Sequence, residues 1–360
     1  MIVCLALLTL GPTTSAVAEL RFQVNSRNTM PGHQALKRVT EPVKAPAGLK
    51  AQTVYRFTFG GQPRLAMLAT QNGRRVALVD TNGNGSLQDE VPHAMQQTYN
   101  QWNTQAIILR RWIDGKLVVA PYTINSYAPL RGSARPTVTL SPLGVYTGEI
   151  EIGGTPTRIE VGDSRADGSY HGTYGLRVTH GGESMHMQSG DGIAVEGRFY
   201  RFVVSPLGDT VAVESEVVKT RPVTFAAETV SLLLAAGERS YHIRSSNGTI
   251  PLPEGEMRIR SLSVTRRDEQ GRTWAMGLHA TKAEGVPVDA GSNALSLEPL
   301  ALSLAHRERL GVHTFDFRAK VGEHFQVTSL AVDGANPEEP VLRLLDAKSR
   351  VVEVKKFHYG

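Results

Sequence analysis

Hydrophobic alternation at a period of two is the feature that most constrains this chain. Tyr55, Phe57 and Phe59 alternate with Arg56 and Thr58, which puts the rings on one face of an extended strand and the polar groups on the other. Strand patterns recur in Gly197 to Val204, Val211 to Val218, Met257 to Val264 and Val351 to Phe357. Ile107 to Ile113, Asp114-Gly115 and Lys116 to Ala120 read as a hairpin, because an Asp-Gly pair takes the positive φ angles of a type I′ turn. Only Ala226 to Ala236 and part of Gln88 to Tyr99 read as helical. The 35 glycines and 19 prolines fit many short strands joined by turns. The expectation is an all-β fold: two related antiparallel β-units followed by a C-terminal β-sandwich region.

The boundaries follow from composition. Residues Met1 to Ala18 read as an export signal: Ile2 to Leu10 are apolar, Gly11-Pro12 break the run, and Ala16-Val17-Ala18 supply small residues before Glu19, although no Lys or Arg precedes the apolar core. Residues 19–50, with Pro31, Pro42 and Pro46, read as an N-terminal arm or linker. Two β-units are expected over 51–140 and 141–220, and the C-terminal region over 221–360. The single cysteine, Cys4, lies in the signal, so the mature chain has no disulfide, cysteine nucleophile or thiolate metal site. No later apolar run approaches the ~18 residues of a membrane-spanning helix.

The two units are recognised by a repeat. Arg75 to Glu90 (RVALVDTNGNGSLQDE) and Arg158 to Gly172 (RIEVGDSRADGSYHG) share a strand, an Asp and a D/N-G turn a few residues later. In the first copy, Asp80, Asn82 and Asn84 occupy positions one, three and five of a calcium-type loop, with Gly85 at six for the sharp turn and Ser86 offering its backbone carbonyl at seven. Position twelve is Val91, where an EF-hand carries a bidentate Glu, so Asp89 or Glu90 has to close the site. A single weak Ca²⁺ site of the extracellular kind, with Kd near 10⁻⁴ to 10⁻³ M, is the expectation. A metal-free Asn-Gly turn is the alternative. In the second copy Asp163, Arg165 and Asp167 hold the equivalent positions, and Arg165 is expected to replace the ion by bridging the two carboxylates.

The segments Ala77 to Gly85, Leu252 to Arg258 and Lys356 to Gly360 together resemble a group of uncharacterised exported bacterial β-sandwich proteins with DxNxNG calcium-type loops and a C-terminal KFxYG tail. The resemblance spans most of the mature chain and implies fold and export, without an activity. Met257 departs from it where an aromatic is usual.

Enzyme signatures are thin. Asp80-Thr81 and Asp163-Ser164 are similar to the paired Asp-Thr/Ser-Gly loops of aspartic proteases, but Asn82 and Arg165 stand where glycine is needed, and a cation beside one carboxylate opposes proton sharing. No G-x-S-x-G elbow or H-E-x-x-H helix is present. Met185, His186 and Met187 have soft-ligand character with His180, yet on a strand the methionines and His186 face opposite ways. Trp102, Trp112 and Trp274 read as core anchors rather than a sugar platform. The net charge of +5, from 39 basic and 34 acidic residues, is spread over scattered pairs such as Arg110-Arg111, and with an exported address this pattern argues against a nucleic-acid partner. A secreted, periplasmic or surface protein with a structural or ligand-binding role at the cell envelope is expected, with an extracytoplasmic hydrolase as the alternative.

Overall fold

The computed structural model describes residues 14–24, 32–98, 101–113, 115–127, 137–170, 175–216, 218–288, 294–295, 300–309, 312–338, 341–345 and 348–356. Among them the fold is all-β, without a helix. Among the described residues no helix is long and apolar enough to cross a membrane. The chain divides into two compact units, Met1–Asp191 with Arg201–Ser215 and Gly192–Tyr200 with Glu216–Gly360. Both copies of the loop repeat therefore lie in the first unit.

In that unit one sheet runs in the order Gln34–Ala35, Thr137–Pro142, Lys116–Tyr127, Gln101–Thr104, His93–Thr98, Arg74–Val79, Gln62–Gln71, Lys50–Phe59 and Lys37–Val39, with Ile107–Ile113 also paired to Lys116–Tyr127. A second sheet runs Glu183–Met187, Leu176–His180, Thr155–Gly162, Gly144–Ile152 and Arg21–Val24. Tight turns set the registers. Gly60-Gly61, with φ of 60° and 76°, joins Lys50–Phe59 to Gln62–Gln71, and that left-handed pair matches the twist of the strands it connects.

The expected N-terminal arm is woven into these sheets. Arg21–Val24 pairs with Gly144 to Thr147, Gln34–Ala35 with Thr139 and Leu140, and Lys37–Val39 with Val54 to Arg56. Upstream, Thr14–Glu19 pairs antiparallel with Thr210 to Ser215. A chain processed before Glu19 would lack this strand and leave that edge of its partner unpaired.

Both helical expectations are corrected. Thr229–Ala236 is a strand paired on both sides, with Arg239–Ser245 and Arg258–Arg267, and alternation buries Val230, Leu232 and Leu234 in the second unit's core. His93–Thr98 pairs with Arg74–Val79 and Gln101–Thr104. In both cases ladder hydrogen bonds and core burial outweigh helix propensity.

Around that second-unit core run Gly192–Val195, Arg239–Ser245, Thr229–Ala236, Arg258–Arg267, Thr273–Ala280, Phe325–Val332, Val312–Val321 and Leu300–Arg309. Antiparallel pairing dominates among the described residues, and short parallel contacts place Gly192 to Ala194 beside Tyr241 to Ile243 and Thr224-Phe225 beside Ala294-Leu295. Asp114 and the 357–360 part of the tail lie outside the described residues.

The first unit's core gathers Tyr55, Phe57, Phe59, Ala77, Val79, Tyr122, Ile124 and Leu140. Phe59 is 1% exposed and meets Tyr122 edge-to-face at 5.1 Å. Replacing it with alanine removes a large buried ring and leaves a cavity, so Phe59→Ala should cost about 3–5 kcal/mol in urea unfolding. A loss below about 1 kcal/mol would contradict this placement.

Candidate functional site

The strand Arg74–Val79 is buried on both faces: Ala77 and Val79 point into the core just described, Val76 and Leu78 into a second cluster with Met67 and Leu87. It therefore delivers Asp80 to a position with 0% exposure. A carboxylate there needs donors, and its own loop supplies them. The Gly83 amide donates to Oδ1 at 2.7 Å and the Gly85 amide to Oδ2 at 3.1 Å. The Asn84 amide donates to Asn82 Oδ1 at 3.0 Å, the Ser86 amide to Asn84 Oδ1 at 2.8 Å, and the Gln88 amide to Ser86 Oγ at 3.1 Å. Leu87, at position eight, is fully buried and pins the loop to the cluster beneath.

The two candidate closing acids have separate tasks. Asp89 Oδ2 receives the side-chain amides of Asn82 at 2.9 Å and Asn84 at 2.8 Å. Those donors hold its carboxyl below the usual carboxylate range. Glu90 turns the other way, accepting the Thr81 amide at 2.6 Å and the Thr81 hydroxyl at 2.8 Å, and so clips the loop's exit to its entrance. Val91, at position twelve, is exposed.

Beneath the loop lies Arg64, which has no counterpart in the sequence pattern. Its Nη1 donates to the Asp80 carbonyl at 3.1 Å and lies 3.9 Å from Asp80 Oδ1, and its Nη2 donates to the Arg110 carbonyl at 2.6 Å. The guanidinium stacks 5.7 Å from the Phe59 ring centroid. Burial pushes its pKa down, and Asp80 and Glu90 oppose that shift. A Cβ on residue 83 would stand 2.6 Å from Arg64 Cζ, so Gly83 serves both the positive φ of 81° and the packing of this cation.

The second loop repeats the scaffold. Gly168 at position six donates to Asp163 Oδ2 at 2.6 Å, as Gly85 does to Asp80, and the Ser169 amide donates to Asp167 Oδ1 at 2.9 Å, as Ser86 does to Asn84. Position four again has positive φ, here at Ala166, and position eight is the buried Tyr170. The difference is a protein donor: the Tyr122 hydroxyl, 41 residues upstream, reaches Asp163 Oδ2 at 2.7 Å. Arg165 contributes its backbone amide to Asp163 Oδ1 at 3.3 Å. The cation packed against Gly168 is Arg111, which stacks 5.4 Å from Tyr170. Arg111 thus parallels Arg64.

Both aspartates are buried within their own loops. Asp80 and Asp163 are 0% and 1% exposed, and their oxygens accept amides of their own loops. His186 is exposed and Met187 buried, so strand alternation separates the soft-ligand residues, and His180 Nδ1 pairs with Thr157 Oγ1 at 2.7 Å. Trp102 packs partly buried against the core with Arg75 over its ring, and Trp274 donates to Asp268 at 2.9 Å. Trp112 is 71% exposed, contrary to the core role expected for it.

Among the described residues no three His, Cys, Asp or Glu side chains converge as a metal site. What the first loop gathers is the Asp89 carboxylate with the carboxamides of Asn82 and Asn84, with the Asp80 carboxylate held by amides of the same loop, the hard-oxygen chemistry that suits calcium. Each Asn Oδ1 accepts one backbone amide and retains a second lone pair. No protein-family model, curated protein or solved structure matches the chain.

Burial raises the Asp163 carboxyl from 3.8 to about 6, against the lowering effect of its hydrogen bonds. The folded state therefore holds this proton more tightly than the unfolded state does. Its contribution to stability is fully present below pH 3.8 and is lost as pH rises through about 6. Asp163→Asn should flatten that decline in a melting-temperature series across this window. An unchanged slope would assign the decline to other groups.

Proposed function

We propose that the protein is an exported structural or ligand-binding β-protein of the cell envelope or extracellular space whose Asp80–Asp89 loop holds one Ca²⁺. The ligands would be Asp80, Asn82, Asn84, the Ser86 carbonyl and Asp89. Glu90 braces the loop and drops out of the ligand set. The ion would supply charge neutralisation and cross-linking of the loop, both structural contributions. The observation that carries this reading is the gathering of Asp89 with Asn82 and Asn84, while Asp80 and Glu90 are the carboxylates that act on the guanidinium of Arg64. A millimolar site would be filled outside cells.

The hydrolase alternative needs Asp80 or Asp163 to meet a substrate, and their burial within their own loops weighs against it. Export and the likeness to exported β-sandwich proteins rest on the sequence, and N-terminal mass analysis of the secreted protein tests the start at Glu19. Retention of Thr14–Ala18 would move the processing site upstream.

With Kd of 10⁻⁴ to 10⁻³ M, about 10 mM calcium stabilises the folded state by roughly 1.4–2.7 kcal/mol. For a unit of this size that is a rise of about 3–10 °C in melting temperature over EDTA. Asp89→Ala, which leaves the amide bonds to Asp80 in place, should abolish the rise. A calcium response that survives in Asp89→Ala, or no response in the unaltered protein, would sink the proposal.

A further inference from the structure

The hairpin formed by Ile107–Ile113 and Lys116–Tyr127 buries one face and leaves the other open. Its inner residues Ile107, Leu109, Arg111, Val118 and Ala120 are buried. On the outer face, Ile108 stands opposite Pro121, Arg110 opposite Val119, and Trp112 opposite Leu117. Trp112 is 71% exposed, Leu117 and Val119 48% each, and Ile108 43%. Arg110 is exposed on this face and Lys116 at the hairpin end, on the alternate side of the strand, and among the described residues neither is taken up by an ion pair. None of the six outward positions is acidic; Asp209 and Tyr146 border a cleft that Leu117 and Val119 also line, and Asp114 at the turn lies outside the described residues.

We propose that this face seats on a membrane surface containing anionic lipid. An indole near the hairpin end with aliphatic neighbours matches the amphipathic boundary of a bilayer, where tryptophan has an apolar place for its ring and a polar one for its N–H. Arg110 and Lys116 complement anionic headgroups, and their stems lie along apolar surface while their charged ends stay hydrated. Patch size separates this partner from a protein: six outward side chains fall well short of the roughly 20–30 residues that a stable protein interface uses on each side. The contact does not involve the Asp80 loop, so it stands whether or not calcium binds there.

The test is co-sedimentation of the full chain with phosphatidylcholine vesicles, with and without about one-third phosphatidylglycerol, in EDTA, alongside tryptophan emission. The expected result is binding and a blue shift with the anionic vesicles only, weakening as salt rises. Removing one cation, by Arg110→Gln or Lys116→Gln, should weaken partitioning about five-fold. Trp112→Ala should largely abolish sedimentation while leaving the melting temperature unchanged, since the ring is outside the core. Absence of binding to anionic vesicles, equal binding by Trp112→Ala, or competition by a soluble polyanion that leaves the emission unshifted would overturn the proposal. So would a concentration-dependent dimer in sedimentation velocity that Trp112→Ala dissolves.

Discussion

A carboxylate stripped of water must be given hydrogen-bond donors, and the architecture around Asp80 and Asp163 is organised by that requirement. Each sits where a core strand ends, and each turns the following chain back on itself so that backbone amides at positions four to six reach its oxygens. Hydrogen bonds to a charged acceptor contribute about 1.5–3 kcal/mol each, more than neutral ones. They fix the loops tightly enough that position eight, Leu87 or Tyr170, can be locked into the interior.

Two arginines complete the arrangement, and one strand ties it together. Arg64 packs under Gly83 and Arg111 beside Gly168, each with an aromatic ring against the guanidinium. The Arg110 amide donates to the Thr81 carbonyl at 3.2 Å, while the next residue carries the side chain that meets the other loop. The Gly60 amide donates to the Asp167 carbonyl at 2.7 Å, and Phe59 lies between Arg64 and Tyr122. The copies then diverge through chemistry on the same backbone. The first collects carboxamides and an external acid at Asp89; the second closes over a tyrosine hydroxyl and keeps its buried carboxyl at a raised pKa of about 6.

Much of this was legible in the residues. The alternation of Tyr55, Phe57 and Phe59 reports the inward face of their strand because a pleated strand separates neighbours by face. The glycines of the two loops mark the sharp turns because positive φ is cheapest there. Thr229–Ala236 misled for a physical reason: its leucines and alanines carry helix propensity, and only the flanking strands convert their alternation into a ladder. Arg64 and Tyr122 left no sequence signal at all. They lie 16 and 41 residues before the carboxylates they serve, at separations set by sheet register rather than by a local spacing rule.

Sequence by itself determined the β class, the repeat, and the oxygen-rich content of the first loop, because strand faces and turn geometry depend on residues a few positions apart. Tertiary structure decided the roles inside those elements. It set Asp89 toward the asparagines and Glu90 toward Thr81, packed Arg111 against Gly168, and left Trp112 outside the core. Those outcomes depend on which distant strand supplies a donor, a cation or an open face, and the register that brings such groups together is set by the packing of the whole unit.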